Sequence, residues 1–195
     1  MGPEVIRLSA AERRKLNTFF SNFVEAYLQP FRRNQLSDFA LVSFAQFHEY
    51  LNSPNALKGK YPRFAISASR VDSMCIYYFG KKVNRHQSRS MNVSIGFSRH
   101  EYRNGSYYFT IGGDGEAVSF AQIQKLRHLE GSLFEAEVIE YIAPNGWDGD
   151  RHASSWRDST GDGIPEPERR FRGLIQKVGT EKNQRFILLE YTLIK

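Results

Sequence analysis

The apolar period of this chain is mainly helical in its first half and mainly alternating in its second. Leu16, Phe19, Phe20, Phe23 and Tyr27 recur at intervals of three and four, which puts one wide apolar stripe on a helix. From Met91 onward, the segments between turns and loops alternate apolar and polar residues, the period of strands with one buried face. A chain that opens helical and closes extended is expected to be α+β, its N-terminal helices packed on a curved, mainly antiparallel sheet.

The punctuation predicts the elements. Ser9 and Glu12 form an S-x-x-E capping box, which opens a helix over about 10–28 that Pro30 stops. A second helix is expected over about 37–52, with Leu41, Phe44, Ala45, His48 and Leu51 on one face. Arg63–Ala68 reads as a short strand, and Ser69 as the cap of a third helix over 70–79 that Gly80 ends. Strands are then expected at 91–97, 106–112, 117–129, 133–142, 170–179 and 185–194. Short turns such as Arg103-Asn-Gly-Ser106 favour antiparallel neighbours. That makes one α+β domain over 1–195, with a sheet of about six to seven strands in 91–195. A long loop runs over 144–168; loops beyond about 15 residues are uncommon and often functional.

At 195 residues, 41% hydrophobic and 14% aromatic, the chain can bury a core without staples. Its one cysteine, Cys75, excludes an internal disulfide and a cysteine-built zinc site. No run of about 18 apolar residues exists, so no transmembrane segment is expected. The start lacks the apolar core of a signal peptide; a chain that begins after a removed signal or lipoprotein leader would read so, and "MGPE" would suit an artificial junction. The net charge of +6 comes from pairs such as Arg32-Arg33 and Lys81-Lys82, without a block of five or six. Polyanion or nucleic-acid binding through these scattered cations is an alternative reading. Nucleic acid is not the expected partner, because Arg99 and Arg103 fall at strand ends rather than among the rings of Tyr107–Phe109.

Four segments, "LNTFFSNFVEAYLQPF" (16–31), "FAQFHEYLN" (44–52), "YYFGKKVNRHQS" (77–88) and "YYFTIGGDGEAVSFAQIQKL" (107–126), resemble in order and spacing a family of uncharacterised bacterial exported or lipoprotein domains. The resemblance covers residues 8–130. It implies a bacterial protein of the cell envelope, or a secreted one, and implies no reaction; a cytoplasmic location is the alternative. The helix-then-sheet order is similar to the cystatin/NTF2-like cone, by analogy of fold only.

Candidate chemistry is sparse. No nucleophile elbow, phosphate loop or H-E-x-x-H pair occurs, and Cys75 lies mid-helix among apolar residues, where a thiolate is disfavoured. The ligand-binding candidates are His48 on the second helix, His86 in the following linker, and Asp114 and Glu116 in the turn "GGDGEAV". His48, His86 and Asp114 would converge if that helix and linker met the mouth of the sheet. The expected function is a non-catalytic envelope-associated domain binding an unknown protein or small ligand, with a small pocket enzyme using His48 and Asp114 as the alternative. No cofactor is expected, and calcium at Asp158, Asp162 and Glu166 is the metal the long loop raises. Counted from Asp158, the loop has oxygen donors and a glycine where a calcium loop needs them, but its closing carboxylate is replaced by Arg169, and Pro165 and Pro167 obstruct an exiting helix. A calcium titration should therefore shift neither the melting temperature nor the fluorescence of Trp156; a saturable shift in either would establish the metal site.

Overall fold

A computed structural model describes residues 4–90, 99–112, 117–144, 147, 155–157 and 163–194. The elements in order are β1 (Glu4–Val5), α1 (Ala10–Glu25), α2 (Asp38–Asn52), β2 (Lys58–Lys60), β3 (Arg63–Ser67), α3 (Ala68–Phe79), β4 (Arg89–Ser90), β5 (Arg99–Arg103), β6 (Ser106–Thr110), β7 (Ala117–His128), β8 (Leu133–Pro144), β9 (Glu166–Val178) and β10 (Arg185–Leu193). The fold is α+β, but the strands form two five-stranded sheets, β1-β7-β8-β9-β10 and β2-β3-β6-β5-β4, instead of one sheet of six or seven. The difference arises because β3 and β6 pair with each other rather than with the later meander. The strands that complete their sheet, of two, three and five residues, are too short and too charged to show an alternating pattern. The expected strand 91–97 lies outside the described residues.

The chain forms two compact units. The first comprises 1–25, 30–34 and 115–195; the second comprises 26–29 and 35–114.

In the first unit, α1 opens with the expected capping box: the Ser9 N–H donates to Glu12 Oε2 at 2.9 Å and the Glu12 N–H to Ser9 Oγ at 3.3 Å. It ends at Glu25, short of the expected residue 28, and Tyr27 turns out of the helix with φ 53°. Leu16, Phe20 and Phe23 are buried against the sheet. Phe171 and Tyr191 stack there, with ring centroids 4.2 Å apart, and Phe20 lies over Tyr191. Gly173 makes room for that ring, since a Cβ at 173 would stand 2.8 Å from Phe20 Cε1.

Three strands carry register shifts: β7 between Ile123 and Lys125, β8–β9 at Glu140/Tyr141, and β10 between Leu188 and Glu190. The bulge in β7 explains a break in the alternation. Ala121, Ile123 and Leu126 are all buried although the last interval is three, and the extra residue, Gln124, restores the phase. Past the end of β1, the edge of β7 is closed by a polar row one helical turn apart on α1. The Ile123 C=O accepts from Arg13 Nη1 at 2.7 Å, the Ile123 N–H donates to Asn17 Oδ1 at 2.8 Å, and the Ala121 N–H donates to Ser21 Oγ at 2.9 Å. At the other edge, Phe31 and Tyr191 exchange both backbone hydrogen bonds.

In the second unit, Ser37 caps α2 and Ser67, rather than Ser69, caps α3. The strand ends one residue earlier than expected, so the cap moves with it. Gly80 ends α3 in the left-handed conformation. Asn104 and Gly105, at φ 48° and 71°, make the two-residue β5–β6 turn that the Asn-Gly pair predicts. Tyr107 and Phe109 are buried while Thr110 is exposed, as the alternation requires.

Two substitutions test this account. Asn17→Ala leaves the buried Ile123 N–H without an acceptor and should lower unfolding free energy by about 1–3 kcal/mol. Gly173→Ala should cost a similar amount, roughly 1–3 kcal/mol by overpacking, and Phe20→Leu in that background should restore part of it, as read by chemical denaturation.

Candidate functional site

The linker between α3 and β4 carries a dense polar cluster. Asp38, at the start of α2, is buried, and its carboxylate accepts from the Asn84 and Arg85 N–H groups at 2.9 and 3.2 Å and from Arg89 Nη2 at 3.1 Å. Asp72 on α3 accepts from the Val83 N–H at 3.1 Å through Oδ1 and meets His86 Nε2 at 3.3 Å through Oδ2. His86 Nδ1 bonds Tyr107 Oη at 3.0 Å, and the imidazole stacks on Tyr102. Burial pushes the Tyr107 hydroxyl up to about 12, so it stays protonated at neutral pH. Both nitrogens of His86 are thus engaged, and the side chain buckles the linker onto the sheet.

His48 is placed elsewhere. On the apolar face of α2, as expected, its Nε2 lies 2.8 Å from Tyr78 Oη, with Phe44 alongside. Burial, and then the Arg70 charge, lower its pKa to about 4. His100, which the sequence reading did not select, is also buried and lies 3.0 Å from Ser43 Oγ; burial lowers it to about 4 as well. Burial first, and then Asp72, push the Cys75 thiol up to about 12, so it is held as a protonated core residue. His48 and His86 have different partners, and Asp114 and Glu116 lie outside the described residues.

Asp158 and Asp162 also lie outside them. Glu166 begins β9 and pairs with Ile142, so the chain leaves the aspartate-rich segment as a strand, where a calcium loop of that type leaves as a helix. Among the described residues no group of three His, Cys, Asp or Glu side chains is arranged to hold a metal ion. Two described residues of the long loop pack at the sheet. Trp156 is buried against Phe120 and Tyr141, on the sheet face opposite α1, and Trp147 packs edge-on to it.

A concave site formed by described residues lies in the first unit. A groove of about 360 Å³ runs between α1 and the bulge of β7, lined by Ala10, Arg13, Arg14, Asn17, Gln122, Ile123 and Gln124. That volume suits a small ligand or a short segment of chain. The lining offers two guanidinium groups and three carboxamides, and no acidic side chain. Arg13 and Asn17 are anchored by their bonds to Ile123, and Gln124 is turned outward by the bulge. Sequence reasoning missed all of these residues. The available signals were the four-residue spacing of Arg13, Asn17 and Ser21 beside the phenylalanine stripe and the broken alternation at Gln124. Searches against family models, curated proteins and solved structures find no match to this chain.

The buried titratable groups set the pH response. For His48 and His100 the folded pKa is depressed from 6.5 to about 4. The unfolded chain binds more protons in that window, so their contribution is full above pH 6.5 and is lost as pH falls through 4. Glu25 acts in the opposite sense. Burial raises it from 4.5 to about 7, so its contribution is full below 4.5 and is lost as pH rises through 7. The melting temperature should fall on acidification from about pH 7 to 4.5 with a shallower slope in the His48→Gln/His100→Gln pair, and Glu25→Gln should raise it more at about pH 8 than at about pH 5.

Proposed function

We propose that this chain is a non-catalytic binding domain that recognises a small anionic ligand, or the carboxylate of a peptide, in the groove between α1 and the bulge of β7. The observation that carries the reading is the lining of that groove: guanidinium and amide donors held on a bonded scaffold, without a carboxylate, histidine or thiol to transfer a proton or attack a bond. Such a lining favours an acceptor-rich ligand through charge-assisted hydrogen bonds. The commitment of His48, His86 and Cys75 to internal packing and bonding supports recognition over turnover.

The envelope location is supported by the resemblance of residues 8–130 to exported and lipoprotein domains. The helix laid on a bulged antiparallel sheet supports the analogy to a cystatin/NTF2-like cone, since each bulge bends and twists its strand.

Succinate and citrate are suitable first probes, read by thermal shift and calorimetry. The expected result is saturable binding that weakens about tenfold or more in Arg14→Ala and in Gln124→Ala, the loss of one charge-assisted or geometric contact. Absence of binding by either probe would remove the groove as an anion site. Hydrolysis of a generic ester or phosphomonoester that disappears in His86→Ala would overturn the non-catalytic reading.

A further inference from the structure

The second unit carries a charge asymmetry that the groove does not use. Register assigns the two faces of its sheet. Ile66, His100, Tyr107 and Phe109 are buried on one face. The other face is set by the Cα pairs Lys60↔Arg63↔Thr110, Lys58↔Ala65↔Tyr108↔Glu101 and Ser67↔Ser106↔Arg103. Arg99 stands two residues before Glu101 in β5, on that same face, and the β5–β6 register extended by two residues brings it level with Thr110. Lys60, Arg63 and Arg99 therefore stand in one row across four strands, roughly 14 Å at the usual strand spacing. Lys58 lies in the next row, about 7 Å along the strands, and Arg103 in the row beyond. All five cations are exposed. Glu101 is the acid among the described residues of this face, and Arg103 Nε already lies 3.6 Å from it.

The sheet of the first unit is different. Its outward charges alternate in sign, with Arg127 bonded to Glu135 and Glu137 at 2.7 and 2.6 Å and Arg172 beside Glu135 at 3.4 Å. That ladder is compensated within the sheet, whereas the face of the second unit carries five cations against one acid among the described residues.

We propose that this outward face of the β2-β3-β6-β5 sheet docks on the anionic phosphate headgroups of a lipid bilayer. The cations are spread in two dimensions, as a plane of headgroups is, rather than along a track such as a single nucleic-acid strand follows. Tyr108, the aromatic at the centre of the face, has the Arg103 guanidinium over its ring at 4.2 Å, so it presents no open platform for a base. The turn at the sheet edge carries Tyr61, 55% exposed, between Lys60 and Arg63. A ring with a polar tip flanked by cations suits the interface between headgroups and acyl chains. Each basic residue near an anionic surface contributes about fivefold to partitioning, and the attraction is screened by salt.

The experiment is co-sedimentation of the whole chain with vesicles of phosphatidylcholine alone and of phosphatidylcholine containing phosphatidylglycerol, with oligothymidylate as a parallel ligand. Wild type should bind the phosphatidylglycerol vesicles, release with added salt and ignore pure phosphatidylcholine. Lys60→Gln/Arg63→Gln should weaken partitioning about 25-fold, about fivefold for each charge, while Arg32→Gln/Arg33→Gln, with the same change in net charge, should leave it near wild type. Circular dichroism and melting of both variants establish that they fold. No binding to anionic vesicles, equal loss in the two variants, or tighter binding to oligothymidylate than to vesicles would each overturn the proposal. Because none of these residues lines the groove, carboxylate binding measured on the same variants separates failure of this inference from failure of the groove reading.

Discussion

Three side chains of α1 hold the unpaired backbone edge of β7. Arg13, Asn17 and Ser21 meet the backbone of Ile123 and Ala121, where an open strand would present unsatisfied polar groups. The same helix sends Leu16, Phe20 and Phe23 into the core. One face therefore buries apolar surface while its margin satisfies the sheet edge. The bulge at Gln124 completes the fit by returning Leu126 to the core after an interval of three. The groove follows from this arrangement, because a helix bonded to a bulged edge leaves a concavity beside the bulge, floored by groups that are already oriented.

Elsewhere, residues that suggest chemistry in isolation are used for cohesion. Asp38 and Asp72 gather the linker 81–89 through backbone N–H groups and the side chains of Arg89 and His86. Glu49 on α2 and Glu140 on β8, both buried, are each met by two nitrogens of one arginine, Arg70 and Arg169. Buried carboxylates need such partners, since removing a charge from water without compensation is costly. The cations on the outward face of the second sheet contrast with these pairs, being exposed and weakly matched by acids.

The helices were legible because capping and period agree. The Ser9–Glu12 box, the Phe stripe and Gly80 each act within one or two turns of chain. The β5–β6 turn was legible for the same reason, since Asn-Gly encodes its own backbone conformation. The division into two sheets was not, because it depends on which strand finds which partner across long separations, and β2, β4 and β5 are too short or too charged to show a period. The groove was illegible for a related reason: Arg13 and Gln124 are more than a hundred residues apart, and neither belongs to a motif. His48 was placed correctly on an apolar face, but its partner, Tyr78, comes from another helix. The burial of Trp156 against Phe120 and Tyr141 was not legible either, because tryptophans in a polar segment signal a docking site only when an apolar sheet face is there to receive them.

By itself the sequence determined the α+β class, most element boundaries and the absence of short-range catalytic motifs, all properties encoded by neighbours a few residues apart. The tertiary structure alone decided the pairing of strands into two sheets, the groove beside the β7 bulge, the locking of His48, His86 and Cys75, and the assembly of Lys58, Lys60, Arg63, Arg99 and Arg103 on one face. Those outcomes depend on register and burial, which bring distant residues within a few ångströms of one another and which no local pattern specifies.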